Sequence, residues 1–295
     1  MRLCNYFDKL SDDIRLVDVS VVLRKMIKQK GVPLKEVSQR TNVPYRSLMN
    51  YLSGSRSIPL KLCRRIIGAI SSSEKEQKKM FDHLYDVAEY ATSVCSHAKV
   101  VNIPKIFDEH LAYIIGALHD GCVYSNESRN QYVVQIVQHS NQQWLCELAK
   151  SLSKVFGIQP KVYRGYLQIA NKFVFEFFAK VIGIPRYHVD WDCFLKGKSW
   201  EIQKRMISGM FDAEGWIGNK EDVRLKFSQK NHNKLREIKE VLNSKGIRSG
   251  RVLKENDAHA LFICGKNCLN FIDEVGVFSK HPKKLAKFRE LRSQP

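Results

Sequence analysis

Two acidic residues, Asp120 and Glu214, stand in the same local setting. Each follows an apolar stretch of helical spacing that contains small residues, and each precedes a glycine and then a strand pattern. Two helices that pack through small residues can place their C-terminal ends side by side. The two carboxylates would then meet at the negative ends of two helix dipoles, which is costly unless a cation lies between them.

A carboxylate pair of this kind suits Mg²⁺, which prefers oxygen ligands. Two such ions can each activate a water or stabilise the leaving oxygen when a phosphodiester bond is hydrolysed. This chemistry needs both acids, because either one alone is better interpreted as a helix end that faces solvent. Gly215 is expected to close its helix in the left-handed conformation.

The residues that follow the two acids repeat in the same order. Each acid is followed by a strand that ends in glutamine, Gln138 or Gln229, and then by a polar cap, an amphipathic helix, a Gly-Ile pair, a strand pair and another helix. Each copy is therefore predicted to be a helix–strand–strand–helix–strand–strand–helix unit of roughly 85 residues. We predict an α+β fold that contains two such units.

Residues 207–215 resemble the nine-residue motif of the LAGLIDADG homing endonucleases position for position. The first copy, residues 111–121, departs slightly, because Gly116 precedes its acid by four residues whereas Gly209 precedes Glu214 by five. The resemblance is to the single-chain, double-motif form and covers about residues 104–290. It implies two pseudo-symmetric αββαββα units that form a saddle on DNA and cut both strands with Mg²⁺.

The resemblance also implies roles for individual residues. The acids bind the metal and carry the catalysis, the glycines after them belong to the metal site, and the strand-end glutamines lie beside it. These residues are Asp120, Glu214, Gly121, Gly215, Gln138 and Gln229.

Basic residues are expected around the same site. Two segments offer candidates, Lys196 or Lys198 before the second motif helix and Lys280 or Lys283 near the C-terminus, and we take Lys196 and Lys280. His119 adjoins Asp120 but is interpreted as a partly exposed histidine at a helix end, because the family requires no histidine there.

The strands of both units alternate between two kinds of side chain. Leu225 and Phe227 point to one face, and Arg224 and Lys226 point to the other. In the first unit the corresponding polar face is more neutral. A twisted antiparallel ribbon can enter a major groove, although a solvated sheet face is the alternative. We predict DNA contacts by Arg129, Gln135, Lys161, Arg164, Arg224, Lys226, Arg248 and Arg251.

The N-terminal residues resemble the helix-turn-helix of phage-repressor-type DNA-binding domains. A short helix over residues 34–41 is followed by Asn42, where a tight turn needs a left-handed residue, and by Pro44, which opens the next helix. That helix would offer Tyr45, Arg46 and Asn50 to a major groove. The alternative is a helical bundle that binds protein. Ser73 is expected to cap a further helix that runs to about Cys95.

Composition supports a polyanionic partner. Lys and Arg total 49 against 30 Asp and Glu, a formal net charge of +19, and so large an excess favours nucleic acid. No secretory or membrane-spanning pattern is present, and the eight cysteines show no paired metal or disulfide spacing, which predicts a cytoplasmic protein without a membrane partner.

Three regions are predicted: an all-α helix-turn-helix domain (residues 1–97), a first unit (104–190) and a second unit (199–290). The chain is predicted to be a site-specific double-strand DNA endonuclease that acts as a monomer on an asymmetric site. A related DNA-binding transcription regulator that does not cleave, or a maturase that binds intron RNA, are the alternatives.

Overall fold

The computed structural model describes residues 1–93, 99–139, 141–185, 195–219 and 223–293, and the side chain of Asp120 lies outside this description. Within these residues a helical N-terminal region precedes two units of one design, and each region carries a four-stranded antiparallel sheet. One apolar core extends from Tyr6 to Leu291 through all three regions. No helix in the described part of the chain is long and apolar enough to cross a membrane.

The N-terminal region is not all-α as predicted, because its described residues form a four-stranded sheet as well as five α-helices. These are β1 (Arg15–Leu16), α1 (Ser20–Gln29), α2 (Leu34–Thr41), α3 (Tyr45–Leu52), β2 (Ile58–Pro59), α4 (Leu60–Ile70), α5 (Glu74–Val87), β3 (Tyr90–Thr92) and β4 (Val101–Asn102). Asn42 joins α2 to α3 with a φ of 53°, the left-handed turn that the sequence predicts.

The start of α5 is predicted correctly and its end is not. The Ser73 hydroxyl accepts a hydrogen bond from the backbone N–H of Glu76 at 3.3 Å. The helix then ends at Val87, and the chain turns into β3, where Ala91 is fully buried and pairs with Leu16. Pairing with the sheet therefore replaces the predicted continuation of the helix, whose expected end, Cys95, lies outside the described residues.

The first unit follows the predicted order. Its elements are α6 (Glu109–Ala117), a 3₁₀ turn (Leu118–Asp120), β5 (Gly121–Asn126), β6 (Gln131–Val137), α7 (Gln142–Phe156), β7 (Lys161–Tyr163), β8 (Tyr166–Ala170) and α8 (Lys172–Glu176), which continues as a π-helix (Phe177–Ile182).

The second unit repeats this order and adds a final helix. Its elements are α9 (Trp200–Glu214), β9 (Gly215–Ile217), β10 (Arg224–Gln229), α10 (His232–Ser244), β11 (Val252–Glu255), β12 (Ala258–Cys264), α11 (Lys266–Glu274) and α12 (Pro282–Arg292). The strand orders β5-β6-β8-β7 and β9-β10-β12-β11 correspond, and an asparagine, Asn141 or Asn231, caps the helix after the second strand of each unit. The predicted α+β fold with two αββαββα units is confirmed.

The strand faces separate as the alternation predicts. Val134 and Ile136 are fully buried, as is Leu225, whereas Arg224 on the opposite face is exposed. Each sheet therefore covers its helices with one face and leaves the other open to a partner.

Candidate active site at the ends of the paired helices

The two motif helices, α6 and α9, cross at a pair of glycines. A Cβ atom on Gly116 would lie 2.0 Å from the Met206 carbonyl oxygen, and one on Gly209 would lie 2.2 Å from the Tyr113 carbonyl oxygen. Each glycine thus meets the residue three positions before the other, so the contact is two-fold symmetric. Only glycine permits backbones to approach so closely.

The number of residues between the crossing glycine and the acid differs between the two motifs. The first motif has four residues from Gly116 to Asp120, and its last three form a 3₁₀ turn, whereas α9 stays α-helical over the five residues from Gly209 to Glu214. A 3₁₀ turn rises about 2.0 Å per residue and an α-helix about 1.5 Å, so both paths advance about 7.5 Å. The tighter turn compensates for the missing residue and brings both helix ends to the same level.

The glycines after the acids are required by space rather than by backbone angle. Gly121 and Gly215 have φ values of −139° and −77°, both extended, so the predicted left-handed closure at Gly215 is wrong. A Cβ on Gly215 would lie 2.5 Å from the Phe211 carbonyl oxygen, and one on Gly121 would lie 2.6 Å from the Gln135 carbonyl oxygen. The chain passes directly from helix into strand at both positions, which leaves no room for a side chain.

The two strand-end glutamines converge on the end of α9. The Gln229 side-chain amide donates a hydrogen bond to Glu214 Oε2. Gln138, from the first unit, donates its amide to the Ala213 carbonyl oxygen at 3.5 Å. The structure therefore assembles residues of both units around the half-buried Glu214 carboxylate.

The buried carboxylate of Asp212, close to this end of α9, accepts hydrogen bonds from both units. Asp212 is fully buried and accepts hydrogen bonds from the Tyr113 hydroxyl, the Ser279 hydroxyl at 2.6 Å and the Lys280 backbone N–H at 2.7 Å. Trp144 donates to the Tyr113 hydroxyl at 2.8 Å, which extends the network into α7. Burial raises the pKa of Asp212, while these donors and Lys284 act to lower it.

His119 and Lys234 occupy the opposite side of the crossing. His119 is 4% exposed, so its prediction as a partly exposed residue is wrong. Burial, and secondly the positive charge of Lys234, hold the pKa of His119 well below its ordinary value, so the ring is neutral. Lys234, in the first turn of α10, is 1% exposed and was missed. In the sequence, the indication that Lys234 is buried was its position beside the apolar Leu235.

One described carboxylate, that of Glu214, is available to a divalent metal ion at this site. In the described part of the chain, which excludes the Asp120 carboxylate, no three His, Cys, Asp or Glu side chains come together. Mg²⁺ does not need such a cage, because it is bound by one or two carboxylates together with substrate phosphates. The Glu214 carboxylate, oriented by an amide donor at a helix C-terminus, is a suitable ligand of this kind.

Residues 201–276, from α9 to the end of α11, match the family model of a LAGLIDADG-like domain. The second unit is a LAGLIDADG-like domain. The resemblance of its motif to that family is thereby confirmed, and the first unit repeats its order of elements.

Two solved structures are similar to the chain. The crystal structure of I-DmoI in complex with DNA and Mn is 19% identical, with a TM-score of 0.47, and the match covers 59% of this chain and 98% of that one. The N-terminal LAGLIDADG domain of DUF199/WhiA is 17% identical, with a TM-score of 0.37, over 57% of this chain and 82% of that one. No curated protein matches the chain.

The two lysines chosen from the sequence lie away from Glu214. Lys196 precedes α9 and lies 3.4 Å from Glu240, and the 15 residues of α9 separate that end of the helix from Glu214 by about 20 Å. Lys280 directs its ammonium to the Ser151 hydroxyl at 2.5 Å and towards His110, in the first turn of α6.

Another lysine reaches the end of α9 that carries Glu214. Lys284, in α12, donates to the carbonyl oxygens of Phe211 and, at 2.9 Å, of Asp212. Both carbonyls belong to the last turn of α9, where the Phe211 oxygen also accepts the Gly215 backbone N–H, and a cation there complements the negative end of the helix dipole. Nothing in the sequence separates Lys284 from Lys280 and Lys283, because the packing of α12 decides which one points at α9.

The residues predicted to contact DNA lie on exposed faces. In the first unit one row crosses all four strands, with Cys122 and Gln168 paired to Gln135, and Lys161 at the edge. In the second unit Trp216 and Phe262 flank Lys226, which also forms an ion pair with Glu255 at 3.2 Å.

The remaining predicted contacts lie at strand ends and in loops. Arg129 lies in the turn between β5 and β6, Arg164 lies between β7 and β8, and Arg248 and Arg251 precede β11. All four are exposed. In α3, Tyr45 is 44% exposed, Arg46 is exposed and Asn50 is partly exposed. The row of the first sheet thus combines two amides with a thiol and an edge lysine, and the second sheet combines a lysine with two aromatic residues.

Proposed function

We propose that the chain is a site-specific, divalent-metal-dependent endonuclease that cuts both strands of duplex DNA. The observation that supports this most is the glycine crossing, which pairs the two motif helices so closely that their acidic ends can lie side by side. The strand-end glutamines that meet the end of α9 add a polar shell around Glu214. The I-DmoI structure named above contains DNA and Mn, in keeping with this chemistry.

Asp120 and Glu214, with Gly121 and Gly215 beside them, would hold the metal, for which we take Mg²⁺. When bound, the metal supplies an activated water and stabilises the leaving oxygen of the phosphodiester. Gln229 orients the Glu214 carboxylate through its amide hydrogen bond. Lys284 neutralises the end of α9 and so reduces repulsion between this helix end and phosphate.

DNA would be held by the two exposed faces, which differ in chemistry. The two amides of the first unit's row, Gln135 and Gln168, suit contacts to base edges, and the cationic residues of the second unit suit phosphate. Unequal faces in one chain favour a monomer on an asymmetric target. The exposed residues of α3 would add base contacts to one side of the target.

Digestion of a random-sequence duplex library with Mg²⁺, followed by sequencing of the cut ends, tests this function. Wild-type protein should enrich one sequence with a constant cut position, and Glu214→Gln should enrich the same sequence only by binding. Binding without cleavage by wild type would instead identify a DNA-binding regulator. Failure to select any duplex, with binding to structured intron RNA, would identify a maturase.

A further inference from the structure

The first residues of the chain, 1–16, form an N-terminal segment that lies between the helix-turn-helix and the first unit. Tyr6, Phe7 and Leu10 are each 3% exposed or less. The Tyr6 ring packs edge-on against Phe177 of the first unit at 5.5 Å and against Tyr85 of α5 at 5.2 Å. A single aromatic side chain thus contacts both neighbours.

Polar contacts tie this segment to α8. The Ser11 backbone N–H donates to Glu176 Oε2 at 2.7 Å, and the Ser11 hydroxyl donates to the other oxygen. Glu176 is 2% exposed and lies 3.1 Å from the Lys180 ammonium. Asp13 accepts a hydrogen bond from Lys172 at 2.6 Å. Separation of this interface would break these bonds and expose the buried rings of Tyr6 and Phe177 to water, which is costly, so the interface stays closed.

The opposite side of the segment is tied to the helix-turn-helix region. Arg64 of α4 pairs with Asp12 and donates to the Phe7 carbonyl oxygen at 2.7 Å. The Leu60 backbone N–H donates to the Ile14 carbonyl oxygen at 2.8 Å. Helix α4 is in turn held to α2, because Arg40 donates to the Ala69 carbonyl oxygen at 2.6 Å. Contacts therefore run without a break from the first unit to the helix-turn-helix.

We infer that the N-terminal segment fixes the spacing, in base pairs, between the bases contacted by α3 and the position of cleavage. This inference rests on the proposed function. A rigid connection offers α3 to the duplex at one distance and one rotational angle from the active site. A duplex turns once in about 10.5 base pairs, or about 36 Å, so one inserted base pair shifts the distal site by about 3.4 Å and turns it by about 34°. The segment is thus a specificity determinant that does not itself contact a base.

The experiment inserts base pairs into the duplex recovered from the library. Insertions of 1, 2, 5 and 10 or 11 base pairs are placed between two parts of the target. One part is the sequence bound by the two sheets, and the other is the flanking sequence that Arg46→Ala no longer protects. Each insertion should lower the affinity of the wild-type chain to that of Arg46→Ala on the unmodified target. This loss should be roughly 5- to 150-fold for one bidentate base contact. The cut position should not change.

The insertion of one full helical turn decides between a rigid and a tethered helix-turn-helix. Recovery of full affinity at 10 or 11 base pairs, or equal affinity for all spacings, would overturn the inference. Wild-type affinity of Arg46→Ala on the unmodified target would also overturn it, because α3 would then make no base contact. Cleavage of the library duplex would continue in that case, which separates this failure from failure of the endonuclease proposal.

A protein variant tests the role of the segment itself. Ser11→Ala/Asp13→Ala removes side-chain ties to α8 and leaves the aromatic packing, so its preference for the unmodified spacing over a one-base-pair insertion should fall at least about twofold. Asp8→Ala, at an exposed acid in the same segment, is the matched control and should keep the full preference. An unchanged preference in a folded double variant would contradict the role of these ties. The wild-type spacing series remains decisive if the variant does not fold.

Discussion

The two motif helices cross symmetrically, yet the polar residues around the crossing differ between the units. Three residues after its glycine, α9 carries the buried carboxylate of Asp212, and the first motif carries the neutral His119. Trp144 is linked to Asp212 through the Tyr113 hydroxyl. The residue at the corresponding position of the second unit, the third after the cap of α10, is Lys234. A carboxylate network on one side thus corresponds to an imidazole and a lysine on the other.

The comparison distinguishes the residue type that the crossing requires in both units from the residues that can differ between them. Close approach of two backbones admits a single residue type, so both units use glycine at the contact. A buried polar residue needs only a partner, and different groups can supply one. On the Asp212 side the residues between α11 and α12, Ser279 to His281, supply three of the donors, which the symmetry of the helices does not provide.

The largest expected effect concerns the two acids, whose catalytic equivalence can be tested directly. Asp120→Asn and Glu214→Gln should each reduce cleavage by on the order of a thousandfold or more, because each removes a metal-binding charge. Duplex affinity should be kept or slightly improved, because a carboxylate near phosphate is lost. Single-turnover cleavage and filter binding on the library duplex measure both. Cleavage at the wild-type rate by either variant would contradict its assignment.

The symmetry of the crossing can be tested by adding one methyl group to either glycine. Gly116→Ala and Gly209→Ala should each lower the free energy of unfolding by about 3 kcal/mol, because the new Cβ would overlap a carbonyl oxygen. Thermal and urea unfolding provide the measurement. Two clearly unequal losses would show that one helix moves aside and that the contact is not symmetric.

Gly68 is the matched control for this steric argument. It lies in the interior of α4, and a Cβ added there would meet only the end of the Gln77 side chain, at 3.7 Å. Gly68→Ala should therefore raise the free energy of unfolding by about 0.5–1 kcal/mol through helix propensity alone. A loss at Gly68 as large as that at Gly209 would show that the effect is not specific to the crossing.

The Asp212 network should depend on an acceptor and not on charge. Asp212→Ala leaves the donors of Tyr113, Ser279 and Lys280 without their acceptor and should cost about 2–3 kcal/mol of unfolding free energy. Asp212→Asn should cost less than about 1 kcal/mol, since the carboxamide oxygen can keep the donors at Oδ2 and the Ser279 hydroxyl can rotate to accept. Equal losses in the two variants, measured by urea unfolding, would show that the charge itself is required.

The smallest expected effect concerns the two sheet faces. Gln135→Ala should lower discrimination at one base pair by about 1–3 kcal/mol and leave other positions unchanged. Lys226→Ala should weaken binding to all sequences alike and reduce the salt slope by about 1. Affinities for single-mismatch duplexes at several salt concentrations distinguish the two. The reverse pattern would assign base contacts to the second face and phosphate contacts to the first.

Much of the site's framework follows from local sequence patterns. The periodicity of apolar residues, the asparagine caps and the left-handed Asn42 depend on residues close together in the chain, so both units and the α2–α3 turn are predicted correctly. The repeated acid–glycine pairs likewise mark both helix ends. The roles of Asp120 and the strand-end glutamines in catalysis stay predictions, as do the contacts to DNA.

Other features were decided only by tertiary packing. The extended conformation of Gly215 follows from the pairing of β9 with β10, in which Gly215 lies opposite Phe227. The burial of His119 follows from the second unit packed over the first motif. Several lysines share the same local setting, and only the placement of α12 brings Lys284 to the end of α9. The N-terminal segment shows no informative pattern because its partners, α4 and α8, are distant in sequence. Local periodicity determines which residues form helices and strands. Contacts between distant segments determine which groups a flexible or buried polar side chain contacts.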